Sequence, residues 1–129
     1  IYVAERGSGA TLNGEPIAAG TDLDLAAGTV SLVPGADAVR DGDDRLGGLE
    51  TALDGACKRV LSTWAPCVDW GLLAAGRIEA VVTYRPDVWE QPTGTLLAGE
   101  SGASVREAGP LGVYAADDAI RDAVWAAIQ

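Results

Sequence analysis

The segment Asp87–Gly94 brings together the residue types with which this chain could do chemistry. The carboxylate of Glu90 directly follows a large aromatic residue, Trp89, and the small residues after it predict a helix over about 88–100. A helix N-terminus carries unpaired N–H groups and a partial positive charge, so an anion or a metal–phosphate pair could be held there. The alternative is that the acid caps the helix and the tryptophan packs in the core.

The titratable residues limit which chemistry is possible. The chain has no histidine, which excludes histidine general bases, histidine zinc sites and a Ser-His-Asp triad. It has 19 Asp and Glu against 9 Lys and Arg, a net charge of −10, which argues against nucleic acid or an anionic membrane as a partner. The acidity is compatible with a hard metal cation, and the alternative is that it serves only solubility.

The cysteines and the apolar runs indicate the compartment. Cys57 and Cys67 lie in a chain without a CxxC motif, which predicts two buried free thiols in a reducing environment; a single disulfide is the alternative. No apolar run is long enough to cross a bilayer and no signal sequence is visible, so we expect a cytoplasmic protein. Because the chain has no Met and opens at Ile1 within a predicted strand, we expect it to be a piece of a longer polypeptide or a chain whose beginning has been lost.

Strands and helices alternate along the chain. Apolar and β-branched runs predict strands at 1–4, 10–12, 29–33, 59–64, 78–84, 103–106 and 112–115. Apolar spacing of three and four predicts helices at 44–58, from Pro66 to Gly76, at 88–100 and after Asp117, with a loop at 35–43. This alternation predicts an α/β fold in which helices flank both faces of a layered mixed sheet, formed by a single domain over 1–129.

Local turn and cap signals support these bounds. Asn13 and Gly14 favour a tight turn inside a hairpin over 1–17, because type I′ turns need positive φ at both positions. Asp43 or Asp44 can cap the first long helix, and Pro66 suits the first turn of the next.

The order of four motifs is more specific than any one of them. The motifs are the glycine hairpin Ala4–Ala10 with its Asn13-Gly14 turn, Leu73–Ala80, Trp89–Gly94 and Glu100–Val105. In this order and at these spacings they resemble the C-terminal half of the inositol monophosphatase family, over nearly all of the chain. The resemblance implies a layered α/β fold and Mg²⁺-dependent hydrolysis of a small phosphorylated polyol or sugar. It also implies that an N-terminal half, missing here or supplied by a second chain, is the partner, with a homodimer as a further expectation.

The resemblance implies roles for three residues. Glu90 matches the family's metal-binding acid, where the family has aspartate, and would hold Mg²⁺. Thr83, seven residues earlier, matches an acid that grips substrate hydroxyls, and Ala65 lies in a pair that is Gly-Ser or Gly-Thr near the substrate; both are expected to bind substrate. The other half of that pair is Trp64, which would fill space that a sugar ring could occupy.

Three hypotheses for function follow. The family's other metal ligands lie in its N-terminal half, in an Asp-x-x-Asp-Gly-Thr segment that this chain lacks, and one carboxylate does not make a magnesium site. We therefore expect the chain alone to be inactive and the full-length protein to be a phosphoric monoester hydrolase. The residues at Glu90, Thr83 and Trp64 favour a second hypothesis, a degenerate, non-catalytic member acting as a binding or assembly module. The third is an unrelated α/β ligand-binding domain.

Other features have a structural interpretation beside a functional one. Asp69 keeps the family pattern and is interpreted as structural. The turn Gly7–Gly9 could cradle a phosphate, but a plain hairpin turn is favoured. The tryptophans could form a platform that stacks on a sugar, but core packing is favoured for Trp64, Trp70 and Trp89.

Overall fold

The computed structural model describes residues 1–129 as eight strands, five α-helices and one short 3-10 helix. The strands are Tyr2–Glu5 (β1), Gly9–Leu12 (β2), Glu15–Ile17 (β3), Thr29–Pro34 (β4), Arg59–Leu61 (β5), Ala80–Tyr84 (β6), Ser104–Ala108 (β7) and Leu111–Ala115 (β8). The helices are Ala36–Arg40 (α1), Asp44–Ala56 (α2), Pro66–Ala74 (α3), Gln91–Glu100 (α4) and Asp118–Ile128 (α5), and the 3-10 helix is Leu25–Ala27.

The first three strands form a small antiparallel sheet in the order β1-β2-β3. The turn between β2 and β3 is made by Asn13 and Gly14, which have φ of 50° and 85° and so satisfy the type I′ requirement. The predicted hairpin over 1–17 is therefore confirmed, with a third strand added to it.

A five-stranded mixed sheet lies at the centre of the chain, in the order β5-β4-β6-β8-β7. Strand β4 runs parallel to both β5 and β6, whereas β8 runs antiparallel to β6 and β7. Successive side chains of a strand point to opposite faces, so each strand supplies both faces of the sheet. Helices cover both faces, and the predicted fold class is confirmed.

Two separate apolar clusters hold the layers together. Val30 and Val82 point to the face covered by α2 and α5, whereas Val81 and Tyr114 point to the face covered by α3 and α4. The small sheet packs against α4 and contributes Ala10 to the second cluster. The result is a stack of sheet, helices, sheet and helices, in which α3 and α4 are enclosed between the two sheets.

The expected loop over 35–43 is wrong, because Ala36–Arg40 forms α1. The N–H group of Ala36 donates to the carboxylate of Asp87 at 3.1 Å, which satisfies one of the free donors at this helix end. Asp87 lies 51 residues away in the sequence, so the residues near Ala36 gave no signal for this helix. Gly35 is required just before it, since a Cβ there would lie 1.8 Å from the carbonyl oxygen of Arg85.

Two boundaries also differ from expectation next to the candidate site. Helix α4 begins at Gln91 rather than at 88, with Pro92 in its first turn. The N–H groups of a first turn have no acceptor within the helix, so the N–H that proline lacks costs no hydrogen bond there. Val88 and Trp89 belong to the exposed loop before it. Strand β5 stops at Leu61, because residues 62–65 leave the sheet to form the wall of a crevice.

Candidate functional site

A crevice opens at the carboxyl ends of the parallel strands. The chain leaves β4 toward α1 and α2 on one face of the sheet, whereas it leaves β5 toward α3 on the other face. Neighbouring strands whose connections diverge in this way leave a gap, which is where open α/β sheets bind ligands. Here the gap is a cavity of about 150 Å³ whose lining includes Trp64, Ala65, Asp69, Asp87 and Glu90.

Glu90 brings a carboxylate without a protein partner to this crevice. It is the residue immediately before α4, and its side chain makes no capping hydrogen bond to the helix. The alternative that Glu90 caps the helix is therefore wrong. The second carboxylate at the mouth, Asp87, is already engaged as the acceptor for Ala36 N–H.

Asp69 is a buried carboxylate at the wall of the crevice. Its two oxygens accept hydrogen bonds from the hydroxyls of Ser31 and Thr63, each at 2.9 Å. Burial raises the pKa of Asp69 above its usual value, and the two hydroxyl donors only partly oppose that shift. These bonds tie the 62–65 segment to β4, which supports the interpretation of Asp69 as structural.

Trp64 stands at the rim of the crevice in an unusual backbone conformation. Its φ of 57° lies in the left-handed region that favours glycine, and the Thr63 hydroxyl accepts a hydrogen bond from Ala65 N–H at 3.1 Å across this turn. The Trp64 residue is 73% exposed. Ala65 lies beside it and faces the same crevice as Glu90.

The three tryptophans have different environments. Trp70 is buried and packs edge-on against the ring of Tyr114, with centroids 4.6 Å apart. The expectation of core packing is therefore right for Trp70 and wrong for Trp64 and Trp89, since Trp89 is 88% exposed. Trp64 and Trp89 belong to neither apolar cluster, because both lie in loops that follow the carboxyl ends of the strands.

Thr83 does not share the crevice with Glu90 and Ala65. It is buried on β6 and points into a second cavity, which also contains Gln91 and Tyr114. Glu90 and Ala65 are thus brought together, whereas Thr83 lies beyond Gln91. Asp87 and Gln91 lie in the segment that the sequence indicated, but neither they nor Tyr114 were expected to have a role, because their hydrogen-bond partners are too distant in the chain to give a local signal.

The glycine turn between β1 and β2 binds a carboxylate of the protein itself. The backbone N–H groups of Gly7 and Gly9 donate to the carboxylate of Glu100 at 3.0 Å each, and these bonds hold the pKa of Glu100 below its usual value. The alternative of a phosphate cradle at this turn is not supported, because the side chain of Glu100 occupies it.

Both cysteines are free, so the disulfide alternative is wrong. Cys57 is buried as expected, but Cys67 is exposed, because it lies in the first turn of α3 and faces outward. No helix in the structure combines the length and the apolar character needed to span a bilayer.

The acids of the chain do not by themselves fit a magnesium ion. No group of three or more His, Cys, Asp or Glu side chains converges anywhere in the structure. In the crevice only Glu90 is uncommitted, since Asp87 and Asp69 accept protein hydrogen bonds. A magnesium ion needs several oxygen ligands in near-octahedral geometry.

The fold and crevice define a layered α/β protein with an acidic site at the carboxyl edge of its parallel strands. No family model matches the sequence. Inositol-1-monophosphatase from Mycobacterium leprae (strain TN) is 38% identical over a match that covers 48% of this chain and 24% of that protein. Mycobacterium tuberculosis SuhB is similar in structure with a TM-score of 0.81 and 28% identity, over 99% of this chain and 53% of that chain.

A third protein, inositol monophosphatase from Anabaena (Nostoc) sp. PCC 7120, has a TM-score of 0.85 over 98% of this chain and 53% of its own, at 20% identity, which shows the fold alone. This chain thus spans about half the length of the solved structures it matches. The predicted resemblance to the C-terminal half of the inositol monophosphatase family is confirmed.

Proposed function

We propose that this chain is the C-terminal half of a two-part, inositol-monophosphatase-like enzyme that hydrolyses a small polyol or sugar phosphate monoester with Mg²⁺. The observation that carries the proposal is the uncommitted carboxylate of Glu90 in a crevice at the carboxyl edge of the sheet, in a fold shared with an inositol monophosphatase. In this proposal residues 1–129 form one domain of a cytoplasmic hydrolase, and an N-terminal half completes the site.

Glu90 is proposed as one ligand of Mg²⁺, and Ala65 and Thr83 as substrate contacts. A bound magnesium ion would polarise the phosphoryl group and lower the pKa of a water molecule. The donors in this chain are insufficient for the ion, so the remaining carboxylates would come from the N-terminal half. The chain itself would contribute the wall of the crevice, fixed by the hydrogen bonds of Asp69 to Ser31 and Thr63.

An apolar groove supports the need for a second half. The groove has a volume of about 460 Å³, lies between β1 and the two enclosed helices, and is lined by Tyr2, Val3, Cys67, Trp70 and Leu97 among others. Strand β1 forms the edge of the small sheet next to it and leaves Val3 55% exposed. Apolar surface of this extent beside an open strand edge is typical of an interface with another polypeptide segment, including a homodimer partner.

The test is phosphate release by the full-length protein from a panel of polyol and sugar phosphates, with and without Mg²⁺. We expect Glu90→Ala to reduce turnover by at least about tenfold, because a ligand of the ion is lost. The matched control is Glu50→Ala, which removes an exposed acid on α2, far from the crevice. Turnover that is unchanged in Glu90→Ala would show that the proposed metal ligand is wrong.

A second candidate function is a binding or assembly module that has lost catalysis. It is favoured by Trp64 at the rim of the crevice, and by Glu90 and Thr83, which stand where the family pattern has an aspartate and an acid. In this case the full-length protein would bind a phosphorylated polyol without releasing phosphate. Calorimetric titration of the full-length protein with the same polyol and sugar phosphates, run beside the turnover assay, separates the two functions. Binding without phosphate release indicates the binding module, and binding with phosphate release indicates the enzyme.

A further inference from the structure

The loop that follows β6, residues 85–90, is attached to both ends of helix α1. At the start of α1, the first N–H group of the helix donates to the carboxylate of Asp87 at 3.1 Å. Just beyond its end, the guanidinium of Arg85 donates to Asp41 and to Asp43, at 2.9 Å each. Because α1 has only five residues, these bonds hold the loop along its whole length.

The backbone of Arg85 is fixed as well as its side chain. Its φ of 47° lies in the left-handed region, which few residues other than glycine adopt. Its N–H group donates to the carbonyl oxygen of Pro110 at 2.9 Å, and its own carbonyl oxygen lies where Gly35 has no side chain. Such a conformation persists only where the surrounding structure holds it, and it is found most often at functional sites.

Asp43 joins this attachment to the start of helix α2. One of its carboxylate oxygens accepts from Arg85 and from the hydroxyl of Tyr84, and the other accepts from the N–H group of Arg45. The hydroxyl of Tyr84 and, to a lesser extent, the guanidinium of Arg85 hold the pKa of Asp43 below its usual value. Asp43 is therefore ionised at neutral pH, and its bond to Arg85 is charge-assisted.

The rest of the loop has little packing that could fix it. Val88 is 73% exposed and Trp89 is 88% exposed, so neither side chain holds the loop against the core. After Asp87, the next hydrogen bond toward α4 is the one that the Glu90 carbonyl oxygen accepts from Gly94 N–H at 3.1 Å. The order of residues 87–90 thus depends on the polar attachments at the start of the loop.

We propose that Arg85 is a positioning residue, which bridges Asp41 and Asp43 and thereby holds the Glu90 carboxylate in the crevice. Arg85 does not line the crevice, so it acts through the loop and not on a ligand. A single lysine ammonium could not bind both acids with the fixed fork of a guanidinium. As a requirement for catalysis this assignment rests on the proposed function; as the cause of order in the loop, it does not.

The test is ¹⁵N relaxation NMR on the purified chain. We expect order parameters of about 0.85 for the amides of residues 87–90 in the parent and below about 0.6 in Arg85→Asn. Asparagine is chosen because it tolerates positive φ, so that the variant loses the guanidinium without adding backbone strain. Loop amides that are equally ordered in the two proteins, or already flexible in the parent, would overturn the proposal.

The matched control is Arg40→Asn. Arg40 is the last residue of α1 and pairs with two acids of the same segment, Asp37 and Asp41, but with nothing in the loop. Its loss should leave the order parameters of residues 87–90 unchanged, and an equal fall in both variants would overturn the proposal. If Arg85→Asn does not fold, the exposed position Asp41 decides the matter, because Asp41→Asn should loosen the loop in the same direction and an unchanged loop would overturn the proposal.

Turnover by the full-length protein tests the part that rests on the proposed function. Arg85→Asn should lower kcat for phosphate release by about tenfold or more while the KM for substrate changes little, because a reacting group is misplaced and the crevice wall remains. An unchanged kcat together with a flexible loop would overturn the role of Arg85 in catalysis. If the parent releases no phosphate, the proposed function fails, whereas the relaxation measurement still decides whether Arg85 orders the loop.

Discussion

The indole of Trp70 lies directly against the α-carbon of Gly94. A Cβ at position 94 would lie 2.1 Å from Cε2 of Trp70, far inside van der Waals contact. Helices α3 and α4 therefore cross at a point where one of them has no side chain, which allows both to fit between the two sheets. The glycine that closes the Trp89–Gly94 motif is thus explained by packing.

We predict that Gly94→Ala destabilises the fold by about 1–3 kcal/mol, because the overlap with Trp70 outweighs the better helix propensity of alanine. The matched control is Gly99→Ala on the same helix, where no atom lies within 4 Å of the new Cβ. That variant should gain about 0.5 kcal/mol. Urea unfolding monitored by tryptophan fluorescence measures both; equal effects at the two positions would refute the packing explanation.

A second prediction concerns the bond between Glu100 and the β1–β2 turn. The N–H groups of Gly9 and Gly7 lower the pKa of Glu100, so its stabilising contribution is present above the ordinary pKa of 4.5 and is lost as the pH falls through the lower folded-state pKa. We expect Glu100→Gln to have a lower melting temperature than the parent at pH 7, and the difference to shrink below pH 4.5. A difference that is constant over this range would exclude the carboxylate as the cause.

The third prediction has the opposite sign because burial raises the pKa of Asp69. An acid with a raised folded-state pKa favours folding below its ordinary pKa of 3.8, and this contribution is lost as the pH rises through the folded-state pKa. Asp69→Asn should therefore become more stable relative to the parent as the pH is raised from below 3.8 toward neutrality. Chemical unfolding of both proteins across this range provides the comparison, and a relative stability that falls with pH would contradict it.

The fourth prediction separates the two thiols. Cys67 is exposed and should react with a thiol reagent within the mixing time, whereas Cys57 is buried and should react only when the chain unfolds. Counting released chromophore before and after denaturant should give one thiol and then two. The variant Cys67→Ser should give none in the folded state; an early signal from that variant would show that Cys57 is accessible.

Features that depend on near neighbours could be predicted from the sequence. The Asn13-Gly14 turn is one, and the capping acids are another, since Asp43 accepts from Arg45 N–H at 3.0 Å and Asp117 from Ile120 N–H at 2.8 Å. Each requires only a contact two or three residues away. The alternation of such elements was sufficient to predict the fold class.

Features that depend on distant partners were missed. Helix α1 is completed by an acid 51 residues away, and the Tyr114 hydroxyl finds Gln91 only after α4 has packed over β8. The exposure of Trp89 also could not be predicted from its neighbours in the sequence, since a large aromatic residue is buried more often than not. Within the candidate site, the resemblance implied roles for Glu90 and Ala65, which share a crevice, but gave no indication that Thr83 faces a separate cavity.

The strand order of the central sheet has a consequence for how the chain folds. Val30 of β4 pairs with Ala80 of β6, and α1, α2, β5 and α3 all lie between them in the sequence. Closing so long a connection loses chain entropy before the β4–β6 contacts can stabilise it, so the pairing of β4 with β6 should form late. During synthesis the apolar strand β4 emerges long before β6, the strand that pairs with it. A ribosome-bound chain that ends before β6 should therefore be sensitive to protease at β4.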